Sequence, residues 1–339
     1  MREFVRRRRL RSIHSDMDLQ ILRLRARFVQ AVRGFFIDRG YLEVETPVLS
    51  PALIPEAALE VFETEYLAPS GERRPLYLIP SPELWMKRLV AHGAGSLFQI
   101  TKSFRNGETM ERVHNPEFTL LEWYTVGSDY LDSIRVQEQL ILHLQDQLPV
   151  SNRLRPPFQR LTMREAFRRY ASLELDDLMD RKGIRSAASR AGVSFGEEDR
   201  WEDIFHAVFL SCVEPEIPRR EPVILLDYPS GIPTLSWRRG RYTERWELYI
   251  GGVEIANCYT EETRSEEVRR FFAGETERKR GDCCILHPID EGFVDLFDGG
   301  FPPCSGVALG MDRLFMVLLG LCSINRVIPF PFSEFFSSR

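Results

Sequence analysis

The run Ser103-Phe104-Arg105-Asn106-Gly107-Glu108-Thr109-Met110-Glu111-Arg112-Val113-His114-Asn115-Pro116-Glu117-Phe118-Thr119-Leu120-Leu121-Glu122-Trp123-Tyr124 sets two apolar flanks around a charged middle. Upstream, residues 96–104 are rich in β-formers and bounded by Gly95. Downstream, residues 118–126 are apolar and aromatic. Gly107, Asn115 and Pro116 are turn formers within the polar part. The pattern predicts an antiparallel hairpin with a long loop. Side chains alternate along a strand, so Phe118, Leu120, Glu122 and Tyr124 share one face. A carboxylate and a phenol beside an aromatic plane suit a cationic group next to a flat ring. Arg105, at the end of the first strand, can grip a phosphate or carboxylate with two N–H donors.

Before this hairpin, apolar residues at Leu19, Leu22, Phe28, Val32, Phe35 and Phe36 predict a helix over 16–38, ended by Gly40. Residues 41–47 read as a strand closed by Pro47. Residues 52–80 are loop-rich, with short strand candidates at 62–66 and 76–79. Ser81-Pro82-Glu83 then opens a helix over 84–92, with Ser81 expected as N-cap and Pro82 at the first helical position.

After the hairpin, residues 129–147 form an amphipathic helix. From 151 to about 222 the character changes, with helical segments at 163–170 and 201–212. A continuous apolar strand follows at 223–228. Gly251-Gly252 between apolar runs predicts a second hairpin over 245–257, with Ile250 facing Val253 and Glu247 facing Ala256. Glu247 and Glu254 then become diagonal neighbours, roughly 7–8 Å apart, able to hold a Mg²⁺. Asn257, Tyr259 and Glu261 lie on the parity opposite Glu254, so a shared pocket requires a bulge between Glu254 and Asn257. A charged helix is expected over 261–280. At the end, residues 304–316 run as a glycine-rich strand into an apolar helix with Asp312-Arg313 at the junction.

The totals bound the reading. The chain has 339 residues, of which 43% are apolar, so a sizeable core fits in one large or two medium domains. No apolar stretch is long enough to span a bilayer, so no membrane association is expected. Six cysteines are too sparse for a disulfide scaffold, and reduced thiols in the cytoplasm are the expectation. Net charge is −5, while Arg2, Arg6 to Arg9 and Arg11 concentrate basic charge in the first residues. The acidic remainder argues against a broad nucleic-acid footprint.

The Phe104-Arg105-Asn106 … His114-Asn115-Pro116-Glu117-Phe118-Thr119 … Glu122-Trp123-Tyr124 pattern resembles motif 2 of the class II aminoacyl-tRNA synthetases, in the lysyl branch. Residues 16–47 resemble motif 1, and 304–316 resemble motif 3. The resemblance covers about 18–330. It implies an α+β fold, an antiparallel sheet flanked by helices, and a homodimer built through motif 1. It further implies that Arg105 holds the substrate carboxylate and the α-phosphate of ATP, and that Phe118 stacks on adenine. Asn106, Glu108, His114, Asn115 and Ile255 complete the nucleotide side. Gly310 admits ATP to the backbone, and Arg313 holds the γ-phosphate. Glu247 and Glu254 are the implied Mg²⁺ ligands. Ser81, Pro82 and Glu83 line the amino-acid side, where Glu83 takes the amino group nearest the carboxylate. Asn257 contacts the carboxylate, and Glu261, with Glu122 and Tyr124, takes the distal ammonium. Three departures stand out. The motif 2 loop is one residue longer, which leaves Glu108 or Gly107 at the ATP. Cys258 replaces a glycine, and Glu262 rivals Glu261.

Only about 20 residues precede the first helix of the motif region, too few for the β-barrel that carries anticodon binding in lysyl-tRNA synthetases. No stable tRNA binding is therefore expected. In this the chain resembles the stand-alone elongation factor P–lysine ligases, as do Ser81-Pro82-Glu83, Trp123 and Pro303 to Gly310, including Ala308 where the synthetases carry glycine. That resemblance implies a basic leader at 1–15, a catalytic domain over 16–330 with a helical insertion at about 151–222, and a tail at 331–339. It implies activation of (R)-β-lysine by ATP and transfer to a lysine of elongation factor P. The alternatives are a truncated lysyl-tRNA synthetase paralogue using α-lysine with a tRNA or other acceptor, and an inactive binding paralogue.

Overall fold

The computed structural model describes residues 18–151, 153–282 and 284–336. The expected basic leader lies outside the described residues. Helix α1 (Leu19–Ile37) starts on Asp18, whose carboxylate accepts the Gln20 N–H at 2.8 Å, and buries Phe28, Val32, Phe35 and Phe36 along one stripe. Strand β1 (Leu42–Glu43) is shorter than expected, because pairing with its neighbour ends after the Val44 N–H and Pro47 has none to give. Strands β2 (Leu49–Ser50), β3 (Phe62–Leu67) and β4 (Arg73–Leu78) form a small antiparallel sheet of their own.

Helix α2 (Glu83–Ala91) leads into the expected hairpin, β5 (Leu97–Phe104) and β6 (Glu117–Val126), paired from Leu97↔Tyr124 to Phe104↔Glu117. Helix α3 (Tyr130–Gln147) opens with a capping box between Asp129 and Asp132. The insertion then departs from an all-helical reading. It begins with β7 (Gln159–Thr162) and continues through α4 (Met163–Ala166), α5 (Arg181–Arg190) and α6 (Trp201–Val208). Helix α5 escapes a periodicity reading because its buried stripe is Ile184, Ala187 and Ala188, small residues in a charged segment.

Strand β8 (Val223–Pro229) is followed by β9 (Arg238–Arg239), β10 (Tyr242–Ile250) and β11 (Val253–Thr260). The charged helix α7 begins later than expected, at Ser265 (Ser265–Asp282), because Glu261 is still bridged to Ser236 as sheet. A short α8 (Glu291–Val294) precedes β12 (Cys304–Gly310) and α9 (Met311–Leu318). The stretch expected as a tail carries a further helix, Phe332–Phe336.

The large sheet runs β1-β5-β6-β12-β11-β10-β8-β7, with β9 beside β10. Its centre is antiparallel, as expected, but its two edge pairs, β1 with β5 and β7 with β8, run parallel. One face is covered by α1, α3 and α9. There Phe36 stacks on Phe98 at 4.9 Å and Phe28 on Phe315 at 5.0 Å. The insertion has its own core, with Phe167, Phe205 and Phe209 in mutual ring contact, and it closes against β8 and Tyr249. The opposite face of the central strands is left for the site.

Candidate active site

Strand register lays the site residues out in rungs. Glu122, Ala308, Asn257 and Glu247 are successive partners across β6, β12, β11 and β10. Two residues along, Tyr124, Gly306, Tyr259 and Arg245 form the next rung. A period of two puts both rungs on one face. Glu247 faces Asn257, not Ala256 as expected. The register slips between Leu248 and Tyr249, so Leu248 pairs with Ala256, Tyr249 with Glu254, and Ile255 has no opposite residue. This is the bulge that a shared pocket requires. It returns Glu254 to the face of Asn257 while keeping it diagonal to Glu247.

A cleft runs along this face. Its lining includes Arg105, Glu108, His114, Asn115, Phe118, Glu254, Ile255, Asn257, Ala308, Gly310 and Arg313. Arg105 lies over the Phe118 ring at 5.4 Å, and its buried Nε has no hydrogen-bond partner among the described residues. A buried guanidinium N–H without a partner is costly, so this geometry can take an anion from outside. Arg313, in the first turn of α9, donates to the carbonyls of Val113 and Glu254 at 3.0 Å each and lies 3.8 Å from the Glu254 carboxylate. Burial, then the Arg313 charge, holds His114 below its ordinary pKa. Of the two candidates in the motif 2 loop, Glu108 lines the cleft. Asn106 is turned away. Its amide donates to the Val61 carbonyl and accepts from the Gly107 N–H. Asn115 accepts the Phe332 N–H, which ties the loop to the C-terminal helix.

Beyond Asn257 the cleft meets a cluster of carboxylates. Ser81 is not the N-cap of α2; that position is Pro82. The Ser81 hydroxyl instead accepts the Glu83 N–H and donates to Glu122 at 2.6 Å, and the Tyr124 hydroxyl donates to the other Glu122 oxygen at 2.8 Å. Burial, then Glu83, pushes the Glu122 carboxyl up to about 8. Burial pushes Glu261 up to about 7 against the pull of Lys87, with Glu83 adding to the rise. Glu262, the rival, is occupied elsewhere by the Arg264 guanidinium. A cluster this short of positive charge suits an ammonium ligand.

Several groups here were not singled out from sequence. Lys87 bridges Glu83 and Glu261. Glu56 is pushed up to about 7 by burial and then by Glu83. Arg245 donates to Glu247 and to Asn257. Asp312 accepts the Thr119 N–H at 2.7 Å and pairs with Arg25 of α1. Gly306 forms the floor, and a Cβ there would lie 2.1 Å from Glu261 Oε1 and 2.7 Å from the Tyr124 ring.

The donor set fits a Mg²⁺ shared with phosphates. Glu254 reaches the cleft, and its carboxyl is raised by burial and then by the Glu247 charge, a repulsion that a divalent cation relieves. Glu247 gives one oxygen to Arg245 and the other to Tyr249 but keeps spare lone pairs. Two carboxylates and few other ligands are what Mg²⁺ uses beside a nucleotide.

The profile of the family described as tRNA synthetases class II (D, K and N) matches residues 1–334. The chain is 38% identical to the elongation factor P–(R)-β-lysine ligases of Salmonella paratyphi B, Salmonella schwarzengrund and Salmonella heidelberg, over 314 residues, 90% of this chain and 93% of each relative. The chain belongs to the class II tRNA synthetase family (D, K and N) and is a homologue of the elongation factor P–(R)-β-lysine ligases.

Proposed function

We propose that this protein is an ATP-dependent ligase that activates (R)-β-lysine as its adenylate and transfers it to a lysine side chain of elongation factor P. The observation that carries the reading is that two unlike halves adjoin on one sheet face, where Glu122 partners Ala308 at the end of the cleft. Arg105, Phe118 and Arg313 offer an anion site beside an aromatic plane, and Glu83, Glu122 and Glu261 offer carboxyl groups for amines. A molecule with a carboxylate between ATP and two ammonium groups fits that order.

In the first step the amino-acid carboxylate forms a bond to the α-phosphorus of ATP, and the bond from that phosphorus to the bridging oxygen breaks, releasing pyrophosphate. No side-chain base is required, since the nucleophile is already ionised. Arg105 bridges the carboxylate and the α-phosphate, and Arg313 holds the departing pyrophosphate. Glu254 and Glu247 would hold Mg²⁺, which supplies positive charge to the phosphate oxygens. Catalysis is positioning plus electrostatics. In the second step the acceptor amine attacks the activated carbonyl carbon. A C–N bond forms, AMP leaves, and the amine loses a proton.

We also propose a cytoplasmic homodimer formed through α1 and β1, with no stable grip on tRNA. Among the described residues no helix is long and apolar enough to cross a membrane. The reading is tested by ATP–pyrophosphate exchange with (R)-β-lysine and (S)-α-lysine side by side, followed by mass measurement of elongation factor P after reaction. A preference for (R)-β-lysine and one added β-lysyl group are expected. Exchange with α-lysine only, and no modified factor, would favour a truncated synthetase with another acceptor.

A further inference from the structure

Lys87 sits in α2 with 1% of its surface exposed. Its ammonium lies 2.5 Å from Glu83 Oε1 and 2.6 Å from Glu261 Oε2, so one buried cation joins the carboxylates at both ends of the amine cluster. A hydrophobic side chain of the same length would cost less to bury. What the lysine provides is charge. Without it, Glu83 and Glu261 would repel across the cavity and take up protons, losing their hold on an ammonium. With it, once an ammonium substrate has displaced the protons that Glu122 and Glu261 hold near neutrality, three carboxylates (Glu83, Glu122 and Glu261) face one internal cation and two negative charges face the substrate.

We propose that Lys87 is a positioning residue that matches the site to a substrate carrying two ammonium groups, by holding Glu83 and Glu261 in place against their repulsion and cancelling one of three negative charges. This rests on the functional reading above. Among the described residues, Arg105 and Lys279 bear on Glu56 and Arg245 bears on Tyr259, while the cation that bears on Glu122 and Glu261 is Lys87. Glu83 and Lys87 come from α2, Glu122 and Tyr124 from β6, Cys258 from β11 and Cys304 from β12, and Glu56 faces Glu83 from the loop before β3. Glu83, with a fifth of its side chain exposed, is the member open to an incoming amine; Glu261, at 2%, is the anchor behind it.

The test is Lys87→Met, which keeps length and removes charge, measured by pyrophosphate exchange between about pH 6 and about pH 9. The expected result is a KM for (R)-β-lysine raised on the order of tenfold or more, a smaller change in kcat, and a KM–pH curve displaced to higher pH. The KM for ATP should hold. Discrimination against 3-aminohexanoate and 6-aminohexanoate, which each carry one ammonium, should shrink. A folded variant with the parent's KM, pH curve and discrimination would overturn the proposal. If Lys87→Met does not fold, Lys87→Arg keeps the charge but replaces the single ammonium that meets both carboxylates with a wider planar head. That variant should fold and raise the KM for (R)-β-lysine while the KM for ATP holds, and a parental KM for (R)-β-lysine in it would equally overturn the proposal. Absence of exchange in the parent with every lysine isomer would refute the functional reading. The counter-charge is then read from heat unfolding, where Lys87→Met should lose stability relative to the parent as pH rises, and parallel curves would refute it.

Discussion

Arg105 lines the cleft with a buried Nε that finds no acceptor among the described residues, whereas Arg313 is anchored to two carbonyls. The two arginines should therefore fail differently. Arg105→Ala removes the donor proposed to meet the charge that builds on phosphorus, and exchange should fall by about 10²–10³-fold in kcat. Retained exchange would refute its assigned role. Arg313→Ala should act more through ATP binding and should also loosen the contact to Val113, visible as a raised KM for ATP. The carboxylates set a second expectation. Burial raises Glu122 to about 8 and Glu261 to about 7, so both bind protons near neutrality in the free enzyme. A two-ammonium substrate must displace those protons, so its KM should fall as pH rises from about 6 to about 8.5. Stability runs the other way. A carboxyl whose folded pKa is raised contributes fully below its unfolded value and loses that contribution as pH rises through the folded pKa. Heat unfolding of the free enzyme should weaken across about pH 5 to 8, and saturating (R)-β-lysine should cancel most of the decline. A KM that rises with pH over this range would contradict the assignment.

At the scale of strands, β12 is the floor on which both halves of the site rest, and Gly306 is its tightest point. Gly306→Ala puts a methyl group onto Glu261 and the Tyr124 ring. Displacement of the amine-binding groups by about 1 Å should cost about 10²-fold in kcat/KM for the amino acid. Calorimetric ATP binding at the Phe118 end should survive, and equal loss of both would point to unfolding of the strand instead. The hairpins were legible in sequence because Gly251-Gly252 and the Asn115-Pro116 turn punctuate apolar runs. The bulge was legible only as a condition on parity. Its extra residue, Ile255, carries no glycine or proline to mark it, so the register around Glu247 read one residue out. Lys87 was hidden for a different reason. Glu83 and Lys87 at i and i+4 on a helix look like an ordinary solvated pair, and only the fold brings Glu261 to the same ammonium. Helix α5 and strand β7 were lost in a segment whose burial depends on a separate core, which local periodicity cannot anticipate.

At the scale of the molecule, α1 is both the cover of the sheet and a brace for the site. Arg25 on α1 donates to Asp312 and to Thr119, so the helix ties β6 to the start of α9, next to Arg313. Whatever holds α1 in place therefore bears on the nucleotide side. The same region carries apolar side chains that are exposed among the described residues. Leu19, Ile37, Leu42 and Leu49 are exposed, and β1 pairs with β5 on one side only. An edge strand flanked by exposed leucines is a ready surface for a partner. With the dimer proposed through this face, Leu42→Arg together with Leu49→Glu should give a monomer by sedimentation. The monomer should lose exchange activity, because α1 and its Arg25 brace would lose their support, and adding protein concentration should not restore it. Arg25→Ala separates the two effects. It should keep the dimer yet raise the KM for ATP, since Asp312 would lose its ion pair and keep the Thr119 N–H alone while the interface stays whole. A leucine variant that sediments as the parent does would remove this face from the interface, and a fully active monomer would show that the site needs no second copy.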